Sequence, residues 1–335
     1  MASRLTTFGN DLYTGKRSFN FVGGRRKWYV IAAVLVILSI VVPLVRGVNF
    51  SIEFLGGSQF QITNVQNATA EPATEAVASV VPDATAKVTI VGDSGVRVQT
   101  DQLSQQDSHD VSAALAEAYD VPVSEVTSSF IGPSWGADVT RQAIVGLIAF
   151  LLLAGIIMAI YFRTWKMSLA AILALIGDLI VTVGVYAAVG FEISPAAMIG
   201  VLTILSYSLY DTVVVFDKIR ENTADDGDES RRTFAESVNL AVNQTLVRSI
   251  NTSVIAALPV AAILFIGAGV LGADTLRDIS LSLLIGILVG TWSTVFVAAP
   301  LYSQLREGEP AIKRHDQKVL KERERAGSSA VAVEA

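Results

Sequence analysis

Six apolar stretches decide what this chain can fold into. They run at about 28–45, 142–162, 167–189, 194–216, 249–267 and 279–302, and each comes close to the 17 to 25 residues that a helix needs to cross a bilayer. The composition agrees. With 52% hydrophobic residues, 17% charged residues and a mean hydropathy of +0.52, the 335-residue chain is too apolar for an ordinary soluble protein. The first stretch follows about 27 residues and is succeeded by "PLVRGVNF", which offers no small-x-small cleavage site, so it is read as an uncleaved anchor.

The basic residues set the expected orientation. Arg4, Lys16, Arg17, Arg25, Arg26 and Lys27 precede the first span, Arg163 and Lys166 fill the turn after the second, and Lys218, Arg220, Arg231 and Arg232 follow the fourth. The opposite short turn, "GFEIS", has none. Positive-inside reasoning therefore places both termini in the cytoplasm, as an even number of spans requires. The expected organisation is a cytoplasmic segment 1–27, span one at 28–47, an extracytoplasmic domain at 48–140, spans two to six at 141–305 and a solvated cytoplasmic tail at 306–335. The tail mixes basic and acidic residues and is not read as a nucleic-acid patch; His315 stands alone in it and suggests no site.

Segment 48–140 carries Lys87 and Arg97 against twelve acids. Its pattern reads strand "SQFQITN", a helix near 70–80, strand "AKVTIV", turn "GDSG", strand "VRVQTD", a helix near 105–119 and strand "SEVTSSF". The order β-α-β-β-α-β predicts a ferredoxin-like α+β module between spans one and two. Such a module buries a modest core unaided, which suits a chain with no cysteine, no disulfide framework and no Cys-based metal site. His109 has no His or Cys neighbour and is read as a surface residue.

Polar residues inside the spans are the candidates for function. Asp178 lies about 18 Å from the cytoplasmic face, near the bilayer centre, and Asp211 about 10 Å from that face, at 1.5 Å per helical residue. An ionised carboxylate at such depth costs about 3 kcal/mol and normally turns inward toward a partner or water. Either acid could instead be a neutral group that fixes helix packing. Tyr207 and Ser208 share a helix face with Asp211 and could donate to it. Asp217 is expected at the water boundary. Arg248 opens the fifth span among Asn243, Thr245 and Thr252, either as a membrane-end anchor or as a countercharge to Asp211. Ser282, Gly286, Gly290 and Thr294 form a small-residue stripe on the sixth span, suited to a partner helix or to packing within the chain. Gly56, Gly57, Gly132 and Pro133 supply turn chemistry where domain meets span, or a hinge.

"YSLYDTVVVFDKIREN", "NQTLVRSINTS" and "GILVGTWSTVFVAAPL", with "GVNFSIEFLGGSQF" and "FIGPSWGADV" flanking the domain, resemble the SecF family of protein-export subunits, part of the resistance-nodulation-division (RND) superfamily. The resemblance runs from about 28 to 305. Tyr210 stands where relatives usually have Asn, Gly177 where many have His, and Glu53 where Asp is usual. The resemblance implies an RND-type six-span half that pairs with SecD and works beside the SecYEG channel and YajC. It would use the proton gradient to draw unfolded polypeptides outward. Asp211 matches the proton-carrying acid, Arg248 the functional arginine and Asp178 the third-span acid. No cofactor is implied; the coupling ion is H⁺, with Na⁺ left open, and no nucleic acid is a partner.

Two alternatives stand beside this reading. A small-molecule RND exporter usually joins two six-span halves in one chain. An intramembrane aspartyl protease carries YD before a GxGD helix, whereas here "IGD" comes first and lacks the leading glycine. No P-loop, nucleophile elbow or HExxH is present in the sequence.

Overall fold

The computed structural model describes residues 4–91, 94–224, 232–268 and 274–333. A short helix α1 (Arg4–Tyr13) precedes the first long apolar helix, α2 (Arg25–Arg46). The segment after α2 holds β1 (Asn49–Phe50), α3 (Ile52–Leu55), β2 (Gly57–Ile62), α4 (Glu71–Val80), β3 (Lys87–Val91), β4 (Gly95–Thr100), α5 (Gln105–Ala118) and β5 (Val126–Ile131). Then come α6 (Pro133–Phe162), α7 (Trp165–Val189), β6 (Glu192–Ile193), α8 (Pro195–Ala224) and α9 (Phe234–Ile263). The chain continues as α10 (Asp274–Ser293), α11 (Ala299–Glu307) and α12 (Pro310–Val333). Part of the expected 92–95 turn, and Arg231, lie outside the described residues.

Among the described residues, six helices are long and apolar enough to span: Arg25–Arg46, Ser134–Phe162, Trp165–Val189, Pro195–Ala224, Phe234–Ile266 and Thr275–Glu307. The fourth runs past its apolar stretch to Ala224, and the fifth begins at Phe234 rather than near 249. Local signals explain that early start. Thr233 accepts from the Glu236 N–H while the Glu236 carboxylate accepts from the Thr233 N–H, a capping box that nucleates α9 ahead of its apolar part. The sixth passes through a π-helical turn, Thr294–Ala298, just ahead of Pro300, which has no N–H to donate back along the helix.

Helices α7, α8 and α10 form the inner layer, whereas α2, α6 and α9 leave wide apolar faces uncovered. Glycines permit the close approaches. A Cβ on Gly184 of α7 would lie 2.3 Å from the Ser39 Cβ of α2, and one on Gly200 of α8 would lie 1.8 Å from the Ser282 Oγ of α10. At one end of the bundle Met158, Phe162, Phe216, Phe234 and Tyr302 close a large apolar core.

The domain after α2 is a four-stranded antiparallel sheet in the order β3-β4-β2-β5, with α4 and α5 contributing to its core. Phe60, Ile62, Val77, Val96, Val98 and Leu115 fill that core. The other sheet face meets the bundle. Arg97 of β4 pairs with Glu192 of β6 at 2.7 Å, Gln99 donates to the same carboxylate, and β1 runs parallel to β6.

The tail is not a free solvated segment. Helix α12 docks on the start of α9: Asp316 accepts from the Phe234 N–H at 2.8 Å, Arg323 pairs with Glu236 at 2.7 Å, and Val319 is buried. A helix N-terminus carries unsatisfied N–H groups and a positive dipole end, so an acid from elsewhere in the chain is a natural partner there.

Candidate functional site

Two carboxylates lie inside the bundle. Asp178 on α7 is 4% exposed and Asp211 on α8 is 5% exposed. Each accepts one hydroxyl hydrogen bond from a neighbouring helix. The Ser208 Oγ of α8 donates to Asp178 Oδ2 at 2.7 Å, and the Ser249 Oγ of α9 donates to Asp211 Oδ1 at 2.8 Å. The second oxygens, Asp178 Oδ1 and Asp211 Oδ2, have no hydrogen-bond partner among the described residues. A buried acceptor left so is costly when charged.

Hydroxyls line the space between them. Ser208 is one turn before Asp211 on α8, so the residue that holds Asp178 sits on the same helix as the second acid. Thr212 donates to the Ser208 carbonyl at 2.9 Å and meets the Thr294 hydroxyl at 2.9 Å. Farther along, Ser253 of α9 and Thr291 of α10 are 2.5 Å apart. Gly290 makes this crowding possible: a Cβ there would stand 2.8 Å from Ser208 Oγ and 3.5 Å from Asp178 Oδ2. The expected stripe of Ser282, Gly286, Gly290 and Thr294 therefore packs against α8 of the same chain. Gly286 meets Ile204, just as Gly290 meets Ser208.

Several expected neighbours of Asp211 are elsewhere. Ser208 serves Asp178 instead, because α7 crosses α8 one turn before the second acid. The Tyr207 hydroxyl is buried without a partner among the described residues. Arg248 is exposed; it donates to the Tyr210 hydroxyl at 3.2 Å, and the next residue, Ser249, faces Asp211. One step along a helix is about 100°, which turns Arg248 off the acid. Arg248 and Tyr210 line an open polar crevice of about 760 Å³ between α8 and α9, together with Asp217, Lys218 and Thr245. Asp217 is exposed and accepts from the Tyr161 hydroxyl of α6 at 3.2 Å.

Asn243 is turned to the opposite task. It accepts from the Phe19 N–H at 2.7 Å and donates to the Phe19 carbonyl at 2.9 Å, pinning the chain before α2 onto α9. Asn239, one turn earlier, accepts from the Phe21 and Val22 N–H groups and donates to the Phe19 carbonyl at 3.0 Å. Thr245 and Thr252 return their hydroxyls to carbonyls of their own helix. Asn239 and Ser249 are the residues that sequence reasoning missed: both lie on α9, where only the tertiary contact picks them out of its many Asn, Ser and Thr side chains.

At the domain junction Gly56 (φ 77°) and Gly57 (φ 128°) occupy left-handed backbone, and a Cβ on Gly57 would fall 2.4 Å from the Thr100 carbonyl oxygen. Gly132 precedes α6 in extended backbone with open space around it, and Pro133 is the first residue of that helix.

Six helices long and apolar enough to span, an inner pair of buried carboxylates and a sheet domain seated on one end define a protein of the multi-pass membrane class. Comparison with known proteins agrees. The family model described as "Protein export membrane protein SecD/SecF, C-terminal" matches residues 111–308. Protein translocase subunit SecF of Streptomyces coelicolor is 44% identical over 99% of this chain and 88% of its own length. The SecF subunit of Mycobacterium tuberculosis is 38% identical over 95% and 74%. A crystal structure of SecDF from Thermus thermophilus superposes with a TM-score of 0.76 at 29% identity, covering 87% of this chain and 39% of that one. The chain belongs to the SecD/SecF family of protein-export membrane proteins.

Proposed function

We propose that this chain is the SecF-type auxiliary subunit of the Sec translocase in the bacterial inner membrane. Both termini lie in the cytoplasm and the sheet domain outside. The β-α-β-β-α-β order and the strand sequence β3-β4-β2-β5, antiparallel throughout, support a ferredoxin-like module there. The partner is a SecD-type half, beside SecYEG, YajC and the exported, unfolded polypeptide. The Thermus relative carries both names in one chain, which supports pairing of two such halves. The flank between α8 and α9, where Arg248 and Tyr210 stand exposed, is the face that a second half would cover.

The observation that carries the mechanism is the pair of buried carboxyls, each with one oxygen held by a serine and the other without a partner. Asp211 takes and releases the proton. Its protonated form sits in the bundle at little cost, and its charged form draws a donor, with Arg248 as the nearest countercharge once the partner helix closes the flank. Asp178, tied through Ser208 to the same helix, feels each change. One proton crossing the full potential supplies about 2.3 kcal/mol per 100 mV, enough to bias two helix arrangements. The test is late-stage release of a secretory protein from proteoliposomes holding the complete translocase, with either a proton or a sodium gradient imposed. Stimulation by the proton gradient alone is expected; stimulation by sodium alone reassigns the coupling ion.

A further inference from the structure

β5 is an outer strand of the sheet domain, and among the described residues no strand pairs with its far side. Its sequence, "VTSSFI", contains no lysine and no proline, the usual guards of an edge. Residues 127–130 are exposed throughout. The other edge, β3, begins with Lys87, whose ammonium is bound to Asn49 beside the membrane-facing strand pair.

The direction of the free main-chain groups follows from one bond. The Thr63 N–H donates to the Glu125 carbonyl at 3.2 Å, one step beyond the Ile62 and Val126 pair. Bonded and non-bonded pairs alternate along an antiparallel ladder. Thr127, Ser129 and Ile131 therefore bond to β2, and Val126, Ser128 and Phe130 direct their N–H and C=O groups outward. The Val126 N–H is taken by the Val123 carbonyl in the preceding turn, which agrees with this phase. Ser128 and Phe130 are left as a template. Beside them runs a crevice of about 720 Å³, bounded by Ser128, Ser129 and Phe130 on the strand and by Ser104, Ser108 and Ser112 at the start of α5.

We infer that β5 is a docking edge for an extended, basic segment of polypeptide, which adds to the sheet as a further strand and lies in this crevice. The inference rests on the reading of the chain as a handler of exported polypeptides and names the face that touches them. Main-chain hydrogen bonds recognise any sequence that can extend, as a subunit serving many clients requires, and short hydroxyl side chains impose little selection. Charge chooses the occupant. Segment 48–140 has twelve acids and two basic residues, and both basic residues are committed at the membrane side, Lys87 to Asn49 and Arg97 to Glu192. A second copy of the same acidic domain would be repelled, whereas a lysine- or arginine-bearing strand is attracted.

The test uses the full chain in lipid nanodiscs and a fluorescein-labelled peptide of alternating threonine and valine with a lysine at each end, followed by anisotropy. Saturable binding is expected, weakened about tenfold or more by Ser128→Pro, which removes an outward N–H without touching the ladder to β2, and unchanged by Thr127→Ala. Because Ser128→Pro could also unsettle the domain, the parent protein is titrated with two further peptides, one N-methylated at alternate amides, which keeps one edge able to donate, and one N-methylated at every amide, which keeps none. The first should bind and the second should not. Equal binding of both methylated peptides, binding unaffected by Ser128→Pro, or nanodisc pairs held by β5 in place of peptide binding would each overturn the inference. Loss of this inference alone leaves proton-driven release sensitive to Asp211→Asn; if that sensitivity is also absent, the underlying reading fails with it.

Discussion

Ser249 is the side chain on which Asp211 depends, since its hydroxyl is the carboxylate's one hydrogen-bond donor among the described residues. Ser249→Ala should therefore cut gradient-stimulated release severalfold while expression and partner binding persist, because a neutral bond of this kind contributes about 1 kcal/mol and a buried charge left without it loses more. Arg248→Met should act differently. The guanidinium of the single chain rests on the Tyr210 hydroxyl at an exposed flank, so its loss should leave the thermal unfolding of the isolated chain unchanged and weaken co-purification with the SecD-type subunit. Unfolding of the isolated Arg248→Met chain several degrees lower would argue against an outward role. The two acids were legible in the sequence because a charge inside an apolar run is conspicuous. Their donors were not, because helical spacing says which residues share a face but not which neighbouring helix crosses there. Ser208 has the spacing to serve Asp211 and serves Asp178.

At the level of helices, contact is set by glycine. Gly184 and Gly200 have no room for a methyl group, whereas Gly177 has nothing within 4 Å of where a Cβ would stand. Gly184→Ala should force α2 away from α7 and cost about 1–3 kcal/mol, read as a lower unfolding midpoint in detergent; Gly177→Ala should be neutral in the same assay. The six spans themselves were readable from apolar length alone. Their ends were not: α9 starts ahead of its apolar stretch because Thr233 and Glu236 cap it, and α12 docks where charge mixing suggested a solvated tail because Asp316 and Arg323 meet the start of α9. The small-residue stripe on α10 left two readings open in sequence, and the bundle uses it internally.

For the molecule as a whole, the sheet domain and the membrane bundle meet through Glu192, which holds Arg97 and Gln99 in the turn between α7 and α8. That turn follows the helix bearing Asp178 and precedes the one bearing Asp211, so a shift of either helix reaches the domain through few bonds. Glu192→Ala should leave Arg97 without its carboxylate and destabilise the junction by about 1–3 kcal/mol, seen as faster amide exchange in β1 and β6 with the sheet core unaffected. The domain's succession of strands and helices along the chain could be read from alternation and turns. Its seat on the bundle could not, because Arg97 and Glu192 are 95 positions apart.

The claim that Asp211 converts proton movement into work on the exported chain is tested most directly by Asp211→Asn in proteoliposomes with the complete translocase. The variant keeps the side chain's size and can still accept from Ser249, but it cannot ionise. Release of a secretory protein should match the parent without a gradient and should show no increase when a proton gradient is imposed. A variant that responds to the gradient as the parent does would make Asp211 a packing residue and contradict the mechanism.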